Sequence, residues 1–171
     1  MGQRTNAAVI GAGAAGLVCA RELARQNIEV TIFEKSSQVG GVWVYEPEVD
    51  DDITGVDPTS TVHSSLYDSL RTNLPRDLMA FSDYYFDSTG GGEDTWPRYP
   101  HHSKVLEYLE RFAVDHDLTK TMRLGTTVTR LKPSPEERGD EANRRPQWLV
   151  ESEDAGGNFS REVFDAVAVC N

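Results

Sequence analysis

The sequence has few cysteines, little positive charge and no long apolar segment. Its two cysteines, Cys19 and Cys170, lie far apart in unrelated contexts, and neither forms a Cys-x-x-Cys pair. This predicts reduced thiols in the cytosol and argues against a disulfide framework. The formal net charge of −11 at pH 7 argues against binding to nucleic acid or to an anionic membrane surface, because both are polyanions.

No apolar run approaches the ~18 residues that would predict a membrane-spanning helix. Residues 1–8 lack the basic start and the apolar stretch of a secretory signal. We therefore expect an unexported, cytoplasmic chain whose partners are small molecules or proteins. Its 171 residues are the size of one ordinary domain, and we expect a single nucleotide site within it.

The N-terminal segment predicts a βαβ unit with a parallel pair of strands. Residues 7–10 form a short apolar run that ends at glycines, and apolar residues from Leu17 to Ala24 then recur at helical spacing. After a turn at Asn27, residues 28–33 are rich in the β-branched and aromatic side chains that strands prefer.

Two polar segments, 44–65 and 88–100, predict surface loops, the first with short helical turns. A helix is expected from about Ser103 to His116. Its buried stripe would consist of Leu106, Leu109, Phe112 and Ala113.

The C-terminal third predicts strands. Residues 126–131, 147–152 and 159–163 favour an antiparallel meander, and the apolar run 164–170 suits a strand of a buried parallel sheet. The expected fold class is therefore α/β, with a Rossmann-like parallel sheet and helices plus an antiparallel β-meander.

The run Gly11-Ala12-Gly13-Ala14-Ala15-Gly16 is a GxGxxG pattern between the first predicted strand and helix. Gly11 permits a tight turn, Gly13 lets the backbone approach a pyrophosphate, and Gly16 lets helix and strand pack closely. Ala14 and Ala15 leave open the helix N-terminus, whose N–H groups and dipole attract phosphates. This context favours nucleotide binding over a glycine-rich turn without a ligand.

Glu34 ends the second predicted strand, about 20 residues beyond the glycines, where an acceptor for a ribose hydroxyl is expected. A carboxylate there disfavours a 2′-phosphate. The pattern serves NAD and FAD alike, so these residues alone leave the choice of nucleotide open.

A longer stretch resembles the flavoproteins that have two dinucleotide-binding sites. The pattern GxGxxGxxxAxxxxxxNxxxxxxE is followed by Gly40-Gly41-Val42-Trp43, which is similar to the second glycine pair that lies against FAD in that superfamily. Asn27 replaces the usual glycine of the pattern. Asparagine tolerates a left-handed backbone better than most residues, so we expect the turn to be preserved.

Four segments resemble the flavin-containing monooxygenases more narrowly. They are Phe33-Glu34-Lys35, Gly40-Gly41-Val42-Trp43, residues 67–75 (YDSLRTNLP) and residues 164–171 (FDAVAVCN). Residues 71–75, Tyr99-Pro100-His101-His102 and the Val-Cys-Asn ending look most like the plant branch associated with S-oxygenation of glucosinolates. The resemblance implies NADPH- and O₂-dependent oxygenation of a soft sulfur or nitrogen, with FAD carrying the chemistry.

The resemblance also implies the site residues. Asn73 is the catalytic candidate, because it matches an asparagine beside the flavin ring and the nicotinamide; taken alone, it could be an ordinary turn residue before Pro75. Trp43 could likewise be simple core. The cofactor-binding candidates are Gly11, Ala12, Gly13, Ala14, Ala15, Gly16, Glu34, Lys35, Gly41, Val42, Trp43, Thr72, Asn73, Leu74 and the backbone of Val128.

No metal site is predicted. Residues 50–57 lack the glycine and the distant glutamate of a calcium-binding loop. His101 and His102 are adjacent in the sequence rather than one helical turn apart, and no cysteine or carboxylate cluster accompanies them.

The family pattern includes a second glycine-rich turn for NADPH, which does not occur in this sequence. We therefore expect residues 1–171 to be the FAD-binding portion of a truncated two-dinucleotide-binding flavoprotein, with the NADPH site mostly outside it. One alternative is another FAD-dependent oxidoreductase of the superfamily, such as a reductase or an amine oxidase. Another is a non-catalytic flavin-binding or regulatory fragment.

Overall fold

A computed structural model of the chain describes residues 4–47, 65–86, 96–138 and 145–170. The chain divides into a first unit, Met1–Val39 with Ala113–Asn171, and a second unit, Gly40–Phe112. The elements in chain order are β1 (Asn6–Ile10), α1 (Ala14–Arg25), β2 (Glu29–Phe33), a 3₁₀ turn (Gly41–Trp43), α2 (Arg76–Met79), α3 (His102–Asp115), a 3₁₀ turn (Leu118–Thr121), β3 (Met122–Arg123), β4 (Thr126–Arg138), β5 (Arg145–Asp154), β6 (Phe159–Phe164) and β7 (Ala166–Val169).

The first unit contains a parallel sheet of four strands in the order β3-β2-β1-β7. Strand β1 lies between β2 and β7, which explains why its residues Ala8 and Val9 are fully buried. Helix α1 connects β1 to β2, and Asn27 makes the following turn with a left-handed backbone at φ 57°. The predicted βαβ unit and parallel sheet are confirmed.

The first unit also contains the predicted meander, an antiparallel sheet in the order β4-β5-β6. Strands β4 and β5 are longer than expected, because the ladder continues past Pro133 after a register shift between Pro133 and Glu137. Proline lacks an N–H donor, and strands tolerate it at such irregularities. Ala8, Phe33, Val150 and Phe164 form one buried cluster that joins the two sheets.

The predicted C-terminal strand 164–170 is divided differently in the structure. Strand β6 ends at Phe164 and β7 begins at Ala166, so Asp165 lies where the chain passes from one sheet to the other. The Asp165 carboxylate accepts hydrogen bonds from the main-chain N–H of Asn6 at 3.0 Å and from Gln147 Nε2 at 2.9 Å. A single polar residue thus ends one strand before the next begins.

The second unit packs around α3 and a group of aromatic rings. Leu109 and Phe112 are buried as predicted, but Leu106 is only half-buried. Tyr108, which was not predicted, is 1% exposed and stacks on Phe86 at 4.0 Å. Its hydroxyl donates to the Tyr84 carbonyl and accepts from the Phe81 main-chain N–H, which explains how a tyrosine can be fully buried at this position.

The predicted surface loops lie partly outside the described residues, which do not include 48–64 and 87–95 and hence the acidic segment 50–57. None of the described helices is both long enough and apolar enough to cross a membrane.

The two cysteines are free thiols, and the fold brings them together although they lie far apart in the sequence. Cys19 lies on α1, and Cys170, which follows β7, meets it. Burial and the neighbouring Cys19 thiol together raise the pKa of Cys170.

Candidate functional site

The glycine-rich turn lies at the C-terminal end of β1. Gly11 has φ 102°, a backbone conformation that side chains other than hydrogen rarely allow. Its N–H donates to the Phe33 carbonyl at 2.8 Å, so the turn is tied to the end of β2. The sharp reversal expected from the sequence is present.

Gly16 faces the same turn from the first turn of α1. A Cβ atom added to Gly16 would lie 1.9 Å from the Gly11 carbonyl oxygen and 3.5 Å from Cys170 Cβ. The first distance is far below contact, and the atom approached is backbone, which cannot rotate away. The glycine is therefore required for the close approach of helix and turn that the sequence predicts.

The N-terminus of α1 opens at this turn. Gly13 is the N-cap residue, with an extended backbone and without a side-chain cap, and the first turn of the helix contains no acidic residue. The first helical hydrogen bond runs from the Leu17 N–H to the Gly13 carbonyl at 3.0 Å. The earlier N–H groups of a helix have no helical acceptor, and together with the dipole they favour an anion such as a diphosphate.

Glu34 lies directly after β2 and contacts the glycine-rich turn. Its side chain is buried, at 6% exposure, with Oε2 accepting from the Ala12 N–H at 2.6 Å and Oε1 accepting from the Ser36 N–H at 2.8 Å. Each carboxylate oxygen has a further lone pair, so both can also accept from sugar hydroxyls. The structure therefore brings the predicted ribose acceptor and the predicted diphosphate site together.

Main-chain hydrogen bonds connect Glu34 to β3 and β4. The Glu34 N–H donates to the Arg123 carbonyl at 3.1 Å, and the Thr126 N–H donates to the Glu34 carbonyl at 2.8 Å. The Arg123 partner could not be predicted, because a strand of two residues has no periodicity to detect.

Two further cofactor candidates lie in the first unit. Val128, on β4, is half-buried and packs against the cluster that contains Phe33. Lys35 is exposed, directly after Glu34.

An ion pair lies beside this region. Arg123 donates to both carboxylate oxygens of Glu162, with Nη2 to Oε2 at 2.8 Å, and its guanidinium lies 5.2 Å from the centre of the Phe33 ring. The hydrogen bond with Arg123 lowers the pKa of Glu162, and the same bond raises the pKa of Arg123.

The second unit contains the other glycine pair. Gly40 and Gly41 both have positive φ, at 130° and 55°. A Cβ at Gly40 would lie 2.3 Å from Leu106 Cδ1, so this glycine allows the chain to pack against α3. In the 3₁₀ turn that follows, Val42 is 63% exposed and Trp43 is half-buried. Trp43 is therefore not a fully buried core residue.

Thr72 anchors the loop that carries Asn73. It is buried, its N–H donates to the Pro100 carbonyl at 2.9 Å, and its hydroxyl donates to the Leu74 carbonyl at 2.8 Å. The neighbouring Asn73 and Leu74 are exposed. The Asn73 side chain therefore lies at the surface of the second unit, and the hydrogen bonds of Thr72 hold the backbone of the loop.

The adjacent histidines bind the main chain. His101 Nε2 and His102 Nε2 lie 2.6 Å and 3.2 Å from the Asp68 carbonyl oxygen. Within the described ranges, no group of three or more His, Cys, Asp or Glu side chains is placed to hold a metal ion.

Comparison with known proteins matches this chain to one family. A sequence model of the family described as flavin-binding monooxygenase-like matches residues 4–171. The chain is 46% identical over 168 residues to the flavin-containing monooxygenase FMO GS-OX-like 6 of Arabidopsis thaliana, covering 97% of this chain and 34% of that protein. It is also 46% identical over 169 residues to the flavin-containing monooxygenase FMO GS-OX5 of the same plant, covering 97% of this chain and 35% of the relative.

Solved structures share the fold of this chain. The S-allyl-L-cysteine S-oxygenase of Allium sativum superposes with a TM-score of 0.85 at 42% identity, covering 99% of this chain and 36% of that chain. Tmm from Pelagibacter sp. strain HTCC7211 shares the fold, with a TM-score of 0.74 at 24% identity over 96% of this chain and 36% of that chain. The present chain therefore spans about a third of the length of the relatives it matches.

Proposed function

Because this chain belongs to the flavin-binding monooxygenase-like family, we propose that residues 1–171 form the FAD-binding part of an NADPH- and O₂-dependent monooxygenase. Family membership favours this function over the reductase and amine oxidase alternatives. The observation that supports FAD binding most directly is the contact of Glu34 with the glycine-rich turn, through the Ala12 N–H at 2.6 Å.

The residues of the first unit fit the adenosine diphosphate half of FAD. In this proposal the diphosphate accepts hydrogen bonds from N–H groups at Gly13, Ala14 and Ala15, where no side-chain cap and no acidic residue of the first turn competes with it. Glu34 accepts from the ribose hydroxyls, and the backbone of Val128 meets the adenine. Lys35 contributes a positive charge beside the sugar.

The residues proposed for the flavin ring lie in the second unit. They are Gly41, Val42, Trp43, Thr72, Asn73 and Leu74. The exposed side chain of Asn73 is free to turn toward a ligand, and its amide can both donate and accept a hydrogen bond. When bound, FAD would supply the redox chemistry, while these residues would orient the ring and keep water from it.

We propose a thioether sulfur as the oxygen acceptor. The support is the 42% identity to the S-allyl-L-cysteine S-oxygenase, together with the identity to the GS-OX proteins. The proposed reaction consumes the thioether, NADPH, one proton and O₂, and gives the sulfoxide, NADP⁺ and water. The NADPH site lies mostly outside this chain in the proposal.

The test is a chimera in which this chain replaces the matching segment of the Allium sativum S-oxygenase. We expect the chimera to convert S-allyl-L-cysteine to its sulfoxide, measured as the gain of one oxygen atom by mass spectrometry. Asn73→Ala in the chimera should lower the sulfoxide yield per NADPH consumed by tenfold or more, on the order of the loss when one pre-organised polar group is removed from an active site.

Leu78→Ala is the matched control, because Leu78 is also exposed in the second unit but lies outside the proposed site. A folded, FAD-loaded chimera that consumes NADPH without forming sulfoxide would contradict the proposed thioether oxygenation. Equal sulfoxide yields from the Asn73→Ala and Leu78→Ala chimeras would contradict the role of Asn73.

A further inference from the structure

The loop that carries Asn73 is tied to the start of α3 by its backbone. Arg71 and His101 form an antiparallel bridge. The Thr72 N–H donates to the Pro100 carbonyl at 2.9 Å, and the His102 N–H donates to the Leu70 carbonyl at 3.1 Å. The position of the loop therefore depends on the contacts between residues 68–72 and the start of α3.

The side chains of His101 and His102 both bind the start of residues 68–72, at the Asp68 carbonyl oxygen. The carbonyl oxygen of Asp68 accepts from His101 Nε2 at 2.6 Å and from His102 Nε2 at 3.2 Å, using its two lone pairs. His101 Nδ1 then accepts from the Ser103 hydroxyl at 2.9 Å. Because a carbonyl oxygen only accepts, Nε2 of each histidine is the donor in these bonds.

His102 differs from His101 in its burial. It is 5% exposed, and its ring packs against Tyr45 at 5.3 Å and His101 at 4.1 Å between centroids. Its Nδ1 is buried without a hydrogen-bond partner among the residues that the structure describes. The Nε2 bond to the Asp68 carbonyl is therefore the one hydrogen bond of this ring among the described residues, and breaking it would leave both ring nitrogens buried and unsatisfied.

We propose that His102 is a positioning residue for Asn73. Its Nε2–H bond to the Asp68 carbonyl holds the segment that leads through Leu70 and Thr72 to Asn73, and so fixes the place at which the Asn73 amide is presented. The inference rests on the proposed function, because it assumes that Asn73 meets the flavin.

Two substitutions of His102 distinguish the effect of losing this hydrogen bond from the effect of losing the ring. Both His102→Gln and His102→Asn remove the ring and its packing on Tyr45. Glutamine places an amide nitrogen three bonds from Cβ, as histidine places Nε2, so it can still donate to the Asp68 carbonyl. Asparagine is one bond shorter and cannot reach that oxygen from the same backbone position.

The first measurement is amide hydrogen exchange at Thr72 in the 171-residue chain. We expect exchange to be about tenfold faster in His102→Asn than in the wild type, since the bond to Asp68 is lost, and within about twofold of the wild type in His102→Gln. Equal exchange in the two variants would overturn the inference. The thermal unfolding midpoint of each variant separates this local effect from general destabilisation.

The second measurement is the absorbance spectrum of FAD bound to the same chain. We expect His102→Asn to reproduce the spectral change caused by Asn73→Ala, His102→Gln to keep the wild-type spectrum, and the double variant His102→Asn/Asn73→Ala to match Asn73→Ala alone. A wild-type spectrum in His102→Asn, with an altered one in Asn73→Ala, would overturn the inference while leaving the proposed function intact. An unaltered spectrum and FAD affinity in Asn73→Ala would overturn both.

Discussion

At the residue scale, Gly16 lies where no side chain fits. In Gly16→Ala the new Cβ would start 1.9 Å from the Gly11 carbonyl oxygen, so α1 or the turn must move. We expect the free energy of unfolding to fall by about 1–3 kcal/mol, as for other overpacked sites. FAD affinity should fall by tenfold or more, because the displaced helix no longer presents its N–H groups. Urea unfolding and a flavin fluorescence titration measure the two effects.

Gly156→Ala is the control for Gly16→Ala. Its Cβ would lie 3.2 Å from the Asn158 and Asp154 side-chain ends, which can shift, so we expect a loss of under about 1 kcal/mol and unchanged FAD affinity. Equal effects of the two glycine substitutions on FAD affinity would contradict the geometry assigned to the turn.

Glu34→Gln is the second prediction at this scale. The Glu34 carboxylate accepts from the N–H groups of Ala12 and Ser36, and an amide in its place would direct an NH₂ group at one of these donors. We expect a loss of about 1–3 kcal/mol in unfolding free energy. FAD affinity should fall by tenfold or more, because the amide also removes an acceptor for the ribose hydroxyls.

The matched control for Glu34→Gln is Glu29→Gln, at the exposed start of the same strand. It should change neither quantity measurably. An unchanged FAD affinity in Glu34→Gln would show that the ribose is held elsewhere.

The role of a residue was predictable from the sequence when its partners lie close to it in the sequence. Gly11, Gly16 and Glu34 belong to one βαβ unit, whose spacing in the sequence fixes their arrangement in space. His102 escaped prediction because its partner, the Asp68 carbonyl, is 34 positions away and is a backbone atom that leaves no sequence signal. The contact between Cys19 and Cys170 was missed because the two residues lie far apart in the sequence.

At the scale of elements, the Arg123–Glu162 pair connects β3 to β6. Both side chains are about a third or more exposed, so we expect Glu162→Gln to lower the unfolding free energy at pH 7 by only about 0.5 kcal/mol. Arg123 holds the pKa of Glu162 below its ordinary value of 4.5 in the folded chain. The stabilisation is therefore complete above pH 4.5 and is lost as the pH falls through the lowered folded-state pKa.

Urea unfolding of the wild type and of Glu162→Gln between pH 7 and pH 3 tests this prediction. The difference between the two proteins should shrink only below about pH 4.5. Glu153→Gln, an exposed position on β5, is the control. A difference that grows on acidification would contradict the sign of the coupling.

The sequence predicted those elements whose side chains alternate between two environments. The apolar stripe of α3 and the alternating meander strands are of this kind. The prolines of β4 concealed its second half, because sequence patterns treat proline as a strand ending, whereas the register shift at Pro133 accommodates it. Strand β3 is too short for any pattern to identify it.

At the scale of the whole molecule, the chain consists of two units and spans about a third of the length of its relatives. The residues proposed for the diphosphate, the ribose and the flavin ring all belong to this chain. We therefore expect the chain to bind FAD with its own residues.

The absorbance spectrum of the purified 171-residue chain, after incubation with FAD and removal of the unbound cofactor, tests this claim most directly. We predict retained flavin absorbance at one FAD per chain, reduced strongly in Glu34→Gln and unchanged in Glu29→Gln. A chain that is folded by circular dichroism and amide exchange, yet retains no flavin, would contradict the account.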